Sequence, residues 1–274
     1  SSGGGISNTN EQSYHPSIGV GDDGNPIVAW DDRDGGSREI FVRRFDGNIW
    51  VEMGSGSASG GGMSNNVGSS HRASLTVGPD GNPIVAWEDT TGGDWEVYIK
   101  KFNGASWVEV GSGSASGNGV SDDVDSSIHP VVAIGSDNNS VVAWYGQISG
   151  EIYLKKFNSI SWVEMGSGSA SGGGISNSAG NSDYPSLVTD VYGNMVLVWN
   201  DDSAGDYEIY VKKFNGVAWV EIGASSASGG GISDTVNNSL YPLVARGGDG
   251  NPIIVWHEEL DQEDGEVYVK KFNG

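Results

Sequence analysis

A unit of about 57 residues repeated five times, four strand signals in each copy and no helical periodicity predict an all-β fold. The expected architecture is a five-bladed β-propeller of four-stranded antiparallel blades. Gly-Asn-Pro-Ile-Val-Ala-Trp occupies residues 24–30 and again 81–87, with variants ending at Trp144, Trp199 and Trp256. Those tryptophans are spaced by 57, 57, 55 and 57 residues. A second series, acidic then hydrophobic then basic-basic-Phe, starts at Glu39, Glu96, Glu151, Glu208 and Glu266. A third, Trp-Val-Glu, starts at Trp50, Trp107, Trp162 and Trp219.

In the first copy, strand A is expected near 16–20, B near 26–30, C at Glu39–Phe45 and D near 49–53. The A–B link Asp22-Asp23-Gly24-Asn25 has the composition of a tight turn, and Asp46-Gly47, Asn103-Gly104 and Asn215-Gly216 mark C–D hairpins. A two-residue C–D turn sets Phe102 opposite Ala105. A four-residue loop sets Phe102 opposite Trp107 and Lys100 opposite Glu109, an aromatic pair and an ion pair worth about 0.2–1 kcal/mol each. The recurrence of those pairs in four copies favours the four-residue loop.

The whole chain is therefore one domain, with strand regions near 14–53, 71–110, 128–165, 184–222 and 241–273. Alignment of Gly274 with Gly47 and of Ser1 with Ala58 leaves the fifth blade without its outer strand D and with an open edge at 266–272. Either further chain or another molecule would supply that strand, and self-association through the edge is an expectation, with Lys270 and Lys271 discouraging it. The start Ser1-Ser2-Gly3 reads as a processed or excised chain.

Composition narrows the partners. Fourteen basic and 36 acidic residues give a net charge of −22, which argues against binding nucleic acid or an anionic membrane. No apolar run reaches the roughly 20 residues of a membrane helix, so no membrane insertion is expected. The absence of cysteine excludes disulfides and thiolate metal sites. The acidic balance suggests a secreted, extracellular protein.

Candidate chemistry lies in the D–A and B–C connections, which share one end of each blade and are long or variable. Just before strand A stand His15, His71, His129, Tyr184 and Tyr241, flat rings with polar tips suited to a sugar. A residue repeated in every copy is usually a fold determinant, so the first reading is of rings packed on a neighbouring blade with their tips bonded to backbone. Trp95 and Tyr207 appear where other copies carry Arg38, Gly150 and Gly265, either as stacking platforms or as lids over their own loops. Asp31, Asp32 and Asp34 in one B–C loop, and Asp122, Asp123 and Asp125 in a D–A loop, read as solvated acidic loops or as oxygen ligands for calcium. No other cofactor is expected, because the Gly-Ser-Ala-Ser-Gly loop lacks a Walker-type Gly-Lys-Ser/Thr ending. The strand-B tryptophans are expected in the core.

Asp-Gly-Asn-Pro-Ile-Val-Ala-Trp followed by patterns such as Glu-Ile-Tyr-Val-Lys-Lys-Phe-Asn-Gly resembles the repeats of secreted bacterial β-propellers. It is more distantly similar to TolB-like and sialidase-type Asp-box repeats, and the architecture is similar to five-bladed tachylectin-like lectins. The resemblance implies the fold and not an activity; the rings on the loop-rich face suggest glycans or a protein as partner. The resulting expectation is a non-catalytic, multivalent carbohydrate-binding propeller. A structural or assembly propeller of recently amplified repeats is the first alternative, and a glycosidase or polysaccharide lyase the second.

Overall fold

The computed structural model describes residues 5–9, 11–33, 36–261 and 264–273, with the side chain of Asp261 outside the described part. It is a five-bladed β-propeller. Blade 1 comprises β1 (Ser13–Val20), β2 (Pro26–Asp32), β3 (Glu39–Phe45) and β4 (Trp50–Glu52). Blade 2 comprises β5 (Ser70–Val77), β6 (Pro83–Asp89), β7 (Glu96–Phe102) and β8 (Trp107–Glu109). Blade 3 comprises β9 (Ser127–Ile134), β10 (Ser140–Gly146), β11 (Glu151–Phe157) and β12 (Trp162–Glu164). Blade 4 comprises β13 (Ser182–Thr189), β14 (Met195–Asp201), β15 (Glu208–Phe214) and β16 (Trp219–Glu221). Blade 5 has three strands, β17 (Ser239–Arg246), β18 (Pro252–Asp261) and β19 (Asp264–Lys271). No described residue lies in a helix, and so no helix is long and apolar enough to cross a membrane.

The turns hold the strands as their residues dictate. In the first A–B turn the Gly21 amide donates to the Asn25 carbonyl at 2.9 Å, and Gly24 takes φ +76°. Blade 3 replaces that glycine with Asn138 at φ +64°, the side chain best suited to a left-handed backbone. In the C–D loops one side-chain oxygen accepts two successive amides. Asp46 takes Asn48 and Ile49 at 2.8 Å each, and Asn103 takes Ala105 at 3.0 Å and Ser106 at 2.9 Å. The loop is four residues long. Phe102 faces Trp107 and Lys100 faces Glu109, and the same register recurs in blades 1, 3 and 4.

The chain forms two compact units, Ser1–Val132 with Ser159–Ser161, and Ala133–Asn158 with Trp162–Gly274. In the first, Ile27, Ala29, Ile40 and Val42 of blade 1 pack against Leu75, Val85, Trp87 and Tyr98 of blade 2. The fit leaves no room at Gly19, where an added Cβ would stand 2.5 Å from Leu75 Cδ2. In the second, Val196, Val198, Ile209 and Val211 of blade 4 receive Ile254 and Trp256 of blade 5. All five strand-B tryptophans are buried.

The Gly-Ser-rich D–A segments act as a strand substitute. Strand D pairs only with the last three residues of strand C, and the following loop doubles back along the rest of that edge. The Val42 amide donates to the Ser57 carbonyl, and the Met63 amide to the Ile40 carbonyl, both at 2.7 Å. Blades 2, 3 and 4 repeat this through Ser114 and Val120, Ser169 and Ile175, and Ser226 and Ile232. The small residues let the loop lie against its own strand C. At Gly62, φ is +61° and a Cβ would meet the Ile40 oxygen at 2.3 Å.

Candidate functional site

Strand A of blades 1, 2, 4 and 5 carries a β-bulge at the position expected to bear a ring. The register slips between Tyr14 and Ser17, His71 and Ser74, Asp183 and Ser186, and Leu240 and Leu243. The residue at the slip is left-handed, His15 (φ +46°), Arg72 (+51°), Tyr184 (+51°) and Tyr241 (+55°), and so is His129 (+53°) at the equivalent position of blade 3. This corrects the sequence alignment by one residue in blade 2, where Arg72 and not His71 holds the repeated position. The bulge turns a backbone amide toward the end of strand B in the preceding blade. Arg72 N donates to Asp31 at 3.1 Å, His129 N to Glu88 at 2.8 Å and Tyr241 N to Asn200 at 3.4 Å. Tyr184 N turns instead to Asp183 at 2.6 Å.

The acidic residues placed in B–C loops by the sequence reading lie largely on strand ends and are buried rather than solvated. Asp31, Asp32, Glu88, Asp89, Asp201 and Glu258 are all 2% exposed or less. The strand-A serine binds the second of each pair: Ser13 to Asp32 at 2.5 Å, Ser70 to Asp89 at 2.7 Å, Ser182 to Asp201 at 2.5 Å and Ser239 to Glu258 at 2.6 Å. Asp31 meets His15 Nδ1 and Arg38 Nη1, both at 2.6 Å, and Glu88 meets Arg72 Nη1 at 2.8 Å. Burial of these charges is tolerated because each is hydrogen-bonded. Among the calcium candidates, Asp122 accepts Asn118 at 2.9 Å and Asp123 accepts the Val124 amide at 2.7 Å, while Asp125 is buried. Asp34 lies outside the described residues. Among the described residues no three His, Asp or Glu side chains are grouped to hold a metal ion.

Two neighbourhoods gather the remaining candidates. In the first unit, the Arg38 guanidinium lies 4.3 Å from the centre of the Tyr14 ring, and the Tyr14 and His15 rings are 6.0 Å apart. Nearby His71 meets Trp95 edge-on at 5.0 Å and Ser69 Oγ at 2.9 Å. Burial holds the His71 imidazole below its ordinary pKa. In the second unit, Tyr184 and Tyr241 stand edge to face at 4.6 Å, with Tyr241 52% exposed. Burial, then the charges of Asp202 and Asp183, pushes the Tyr207 hydroxyl up.

Sequence reasoning missed Arg38, Arg72 and Tyr14. The signal available was that four of the six arginines fall in the first repeat and that no other repeat has arginine at position 38 or 72. The variable column to which Trp95 and Tyr207 belong also has a simple basis. Its main chain is fixed, because the carbonyls of Arg38, Trp95, Gly150 and Tyr207 accept the amides of Ser70, Ser127, Ser182 and Ser239 at 2.6–2.7 Å. Its side chain is not required by that contact, although Arg38 also pairs with buried Asp31 and Gly150 stands at φ +74°.

The glutamates opening strand C form a further buried set. Ser64 Oγ donates to Glu39 at 2.6 Å and receives the Ile40 amide at 2.8 Å. Ser121 and Glu96, Ser176 and Glu151, and Ser233 and Glu208 repeat the pair. Burial raises all four carboxyl pKa values, that of Glu96 to about 7. Each is committed to anchoring its D–A loop, so the raised values have a structural cause.

No family model matches the chain, and no curated protein matches it. Its fold is similar to that of several solved structures. A protein of unknown function from Dyadobacter fermentans DSM 18053 aligns with TM-score 0.60 and 11% identity over 96% of this chain and 80% of that one. An endo-arabinase from Bacteroides thetaiotaomicron VPI-5482 aligns with TM-score 0.52 and 10% identity over 94% of this chain and 93% of that one. An exo-β-1,3-galactanase from Clostridium thermocellum gives TM-score 0.51 and 9% identity over 95% of this chain and 59% of that one. At these identities the likeness is one of fold.

Proposed function

We propose that this propeller is a non-catalytic carbohydrate-binding protein that takes sugars beside the bulges of its A strands. The observation that carries the reading is the residue type at the five left-handed positions. The amide contact across blades explains why the backbone bends there, but glycine or asparagine would bend at less cost. A left-handed backbone costs an ordinary L-residue about 1–2 kcal/mol. His15, Arg72, His129, Tyr184 and Tyr241 are kept in spite of it, and each presents a flat, polar-tipped group next to strand-end polar residues. Such groups offer the apolar ring faces and hydroxyls of a sugar a surface to stack on and partners to bond. The five positions carry two histidines, two tyrosines and one arginine, so the blades offer related sites, and a branched or polymeric glycan engaging several would gain avidity. An extracellular location goes with this ligand and with the net charge of −22.

Glycoside hydrolysis is the second reading, favoured by the convergence of Asp31 and Glu88 on Arg72 and by the fold shared with an endo-arabinase. Against it, both carboxylates are buried and already bonded to guanidinium groups, whereas a general acid must present its proton to a substrate. A glycan array followed by titration calorimetry separates the two. Binding that weakens at least fivefold in Tyr241→Ala or Trp95→Ala, with no release of reducing sugar, supports the proposal. Absence of binding at millimolar sugar sinks it, and turnover lost in Asp31→Asn or Glu88→Gln establishes the hydrolase.

A further inference from the structure

Between the D–A loop of blade 1 and the β7–β8 hairpin of blade 2 the structure leaves a cavity of about 340 Å³. We infer that this groove and its counterpart between blades 3 and 4 are a second pair of binding sites, each taking an uncharged pyranose sugar beside a tryptophan and a lysine. These sites use other residues than the strand-A bulges. The tryptophan of the first groove is half-buried Trp107, whose indole Nε1 donates to the Met53 carbonyl at 2.8 Å, so the ring is held in place before a ligand arrives. Its lysine, Lys100, donates to the carbonyls of Met63 at 2.8 Å and Ser64 at 3.1 Å, which leaves the third ammonium hydrogen for another acceptor. The Ser55 and Ser106 hydroxyls and the Asn65 carboxamide line the same cavity. Among the described residues none of these three side chains bonds to protein.

A flat apolar ring flanked by several hydrogen-bonding tips suits a sugar, which has apolar faces and a rim of hydroxyls. Charge narrows the class. Glu109 faces Lys100 and is itself held by Gly113, Ala115 and Ser116, and the charges of Asp89 and Glu39 also reach the ammonium. With 22 excess negative charges on the chain, an anion would be repelled, and Lys100 would repel a cation. A purely apolar ligand would strip water from the polar side chains and pair with none of them. Fastening the loop accounts for two hydrogen bonds of Lys100 but not for the unpaired groups around it. The frame recurs in the second unit. Residues 165–177 repeat residues 53–65 with one change, Ile175 for Met63. Lys212 donates to the Ile175 carbonyl at 2.6 Å, and Trp219 to the Met165 carbonyl at 2.7 Å.

The test is acylation of lysines in the purified protein, read residue by residue by mass spectrometry. Burial lowers the pKa of Lys100 and Lys212, which favours their reactive amine form. The probes are the methyl pyranosides of glucose, galactose, mannose and xylose, added one at a time. At least one should slow acylation of Lys100 and Lys212 about fivefold at about four times its dissociation constant, with exposed Lys101 unchanged. Ser55→Phe narrows the first groove at an exposed position, so it should abolish the effect of sugar at Lys100 and keep it at Lys212. Ser167→Phe should do the reverse. No slowing at either lysine with millimolar glycoside overturns the inference. So does slowing that Lys101 shares or that Ser55→Phe leaves intact, or stronger protection by methyl glucuronide than by the methyl glucoside. The readout sits at Lys100 and Lys212, so its failure leaves the bulge sites to their own test.

Discussion

Buried acids govern this protein at the scale of single residues. The Glu96 carboxyl, pushed up to about 7 by burial, binds its proton more tightly folded than unfolded, where its value is 4.5. Its contribution to stability is therefore complete below about pH 4.5 and lost as the pH rises through about 7. Glu39, Glu151 and Glu208 shift in the same direction. Glu96→Gln, which mimics the protonated acid, is expected to be more stable than the parent by about 1–3 kcal/mol at pH 8 and equal to it near pH 4.5, measured by urea unfolding at both pH values. Gly62→Ala tests the opposite sensitivity. Its Cβ would collide with the Ile40 oxygen on a backbone at φ +61°, so a loss above about 1–2 kcal/mol is expected in the same assay.

Among the elements, the D–A loop does the work of half a strand. Ser64→Ala removes the hydroxyl that joins Glu39 to the Ile40 amide, leaving both groups buried without it. A loss of about 1–3 kcal/mol is expected, with hydrogen exchange rising at the Ile40 amide before the β2–β3 ladder opens. The strands, the turns and the four-residue C–D register were legible in the sequence, because period-two patterning marks the strands and the recurring Phe–Trp and Lys–Glu spacings outweigh the Asn-Gly dipeptides, which by themselves favour a two-residue turn. The loop's role was not legible, since a Gly-Ser-rich run has no side-chain pattern from which to read its pairing. The strand-A bulge was equally hidden. Separately, the 57-residue period alone places Arg72 in the column of His15, and His71, chemically the more familiar match to His15 and His129, displaced it in the alignment. The burial of Asp31 and Glu88 escaped notice because acidic residues are ordinarily exposed, and only the inter-blade amides and arginines reverse that expectation.

Taken whole, the molecule carries 22 excess negative charges, and self-repulsion opposes its compact state. Raising sodium chloride from 0.02 to 0.5 M shortens the screening length from about 20 Å to about 4 Å, so the melting temperature should rise by several degrees at pH 8. The gain should shrink near pH 5, where Glu96, with its carboxyl pushed up to about 7, is protonated and the net charge is smaller; calorimetric scans at the two pH values decide this. The carbonyls of Arg38, Trp95, Gly150 and Tyr207 fasten one blade to the next whichever side chain stands above them. Selection, natural or in the laboratory, can thus rewrite that column one blade at a time. A library randomised at Trp95 and Tyr207 should yield new specificities while most members still fold. Replacing Arg38, which pairs with buried Asp31 at 2.6 Å, or Gly150, at φ +74°, should lower the folded fraction.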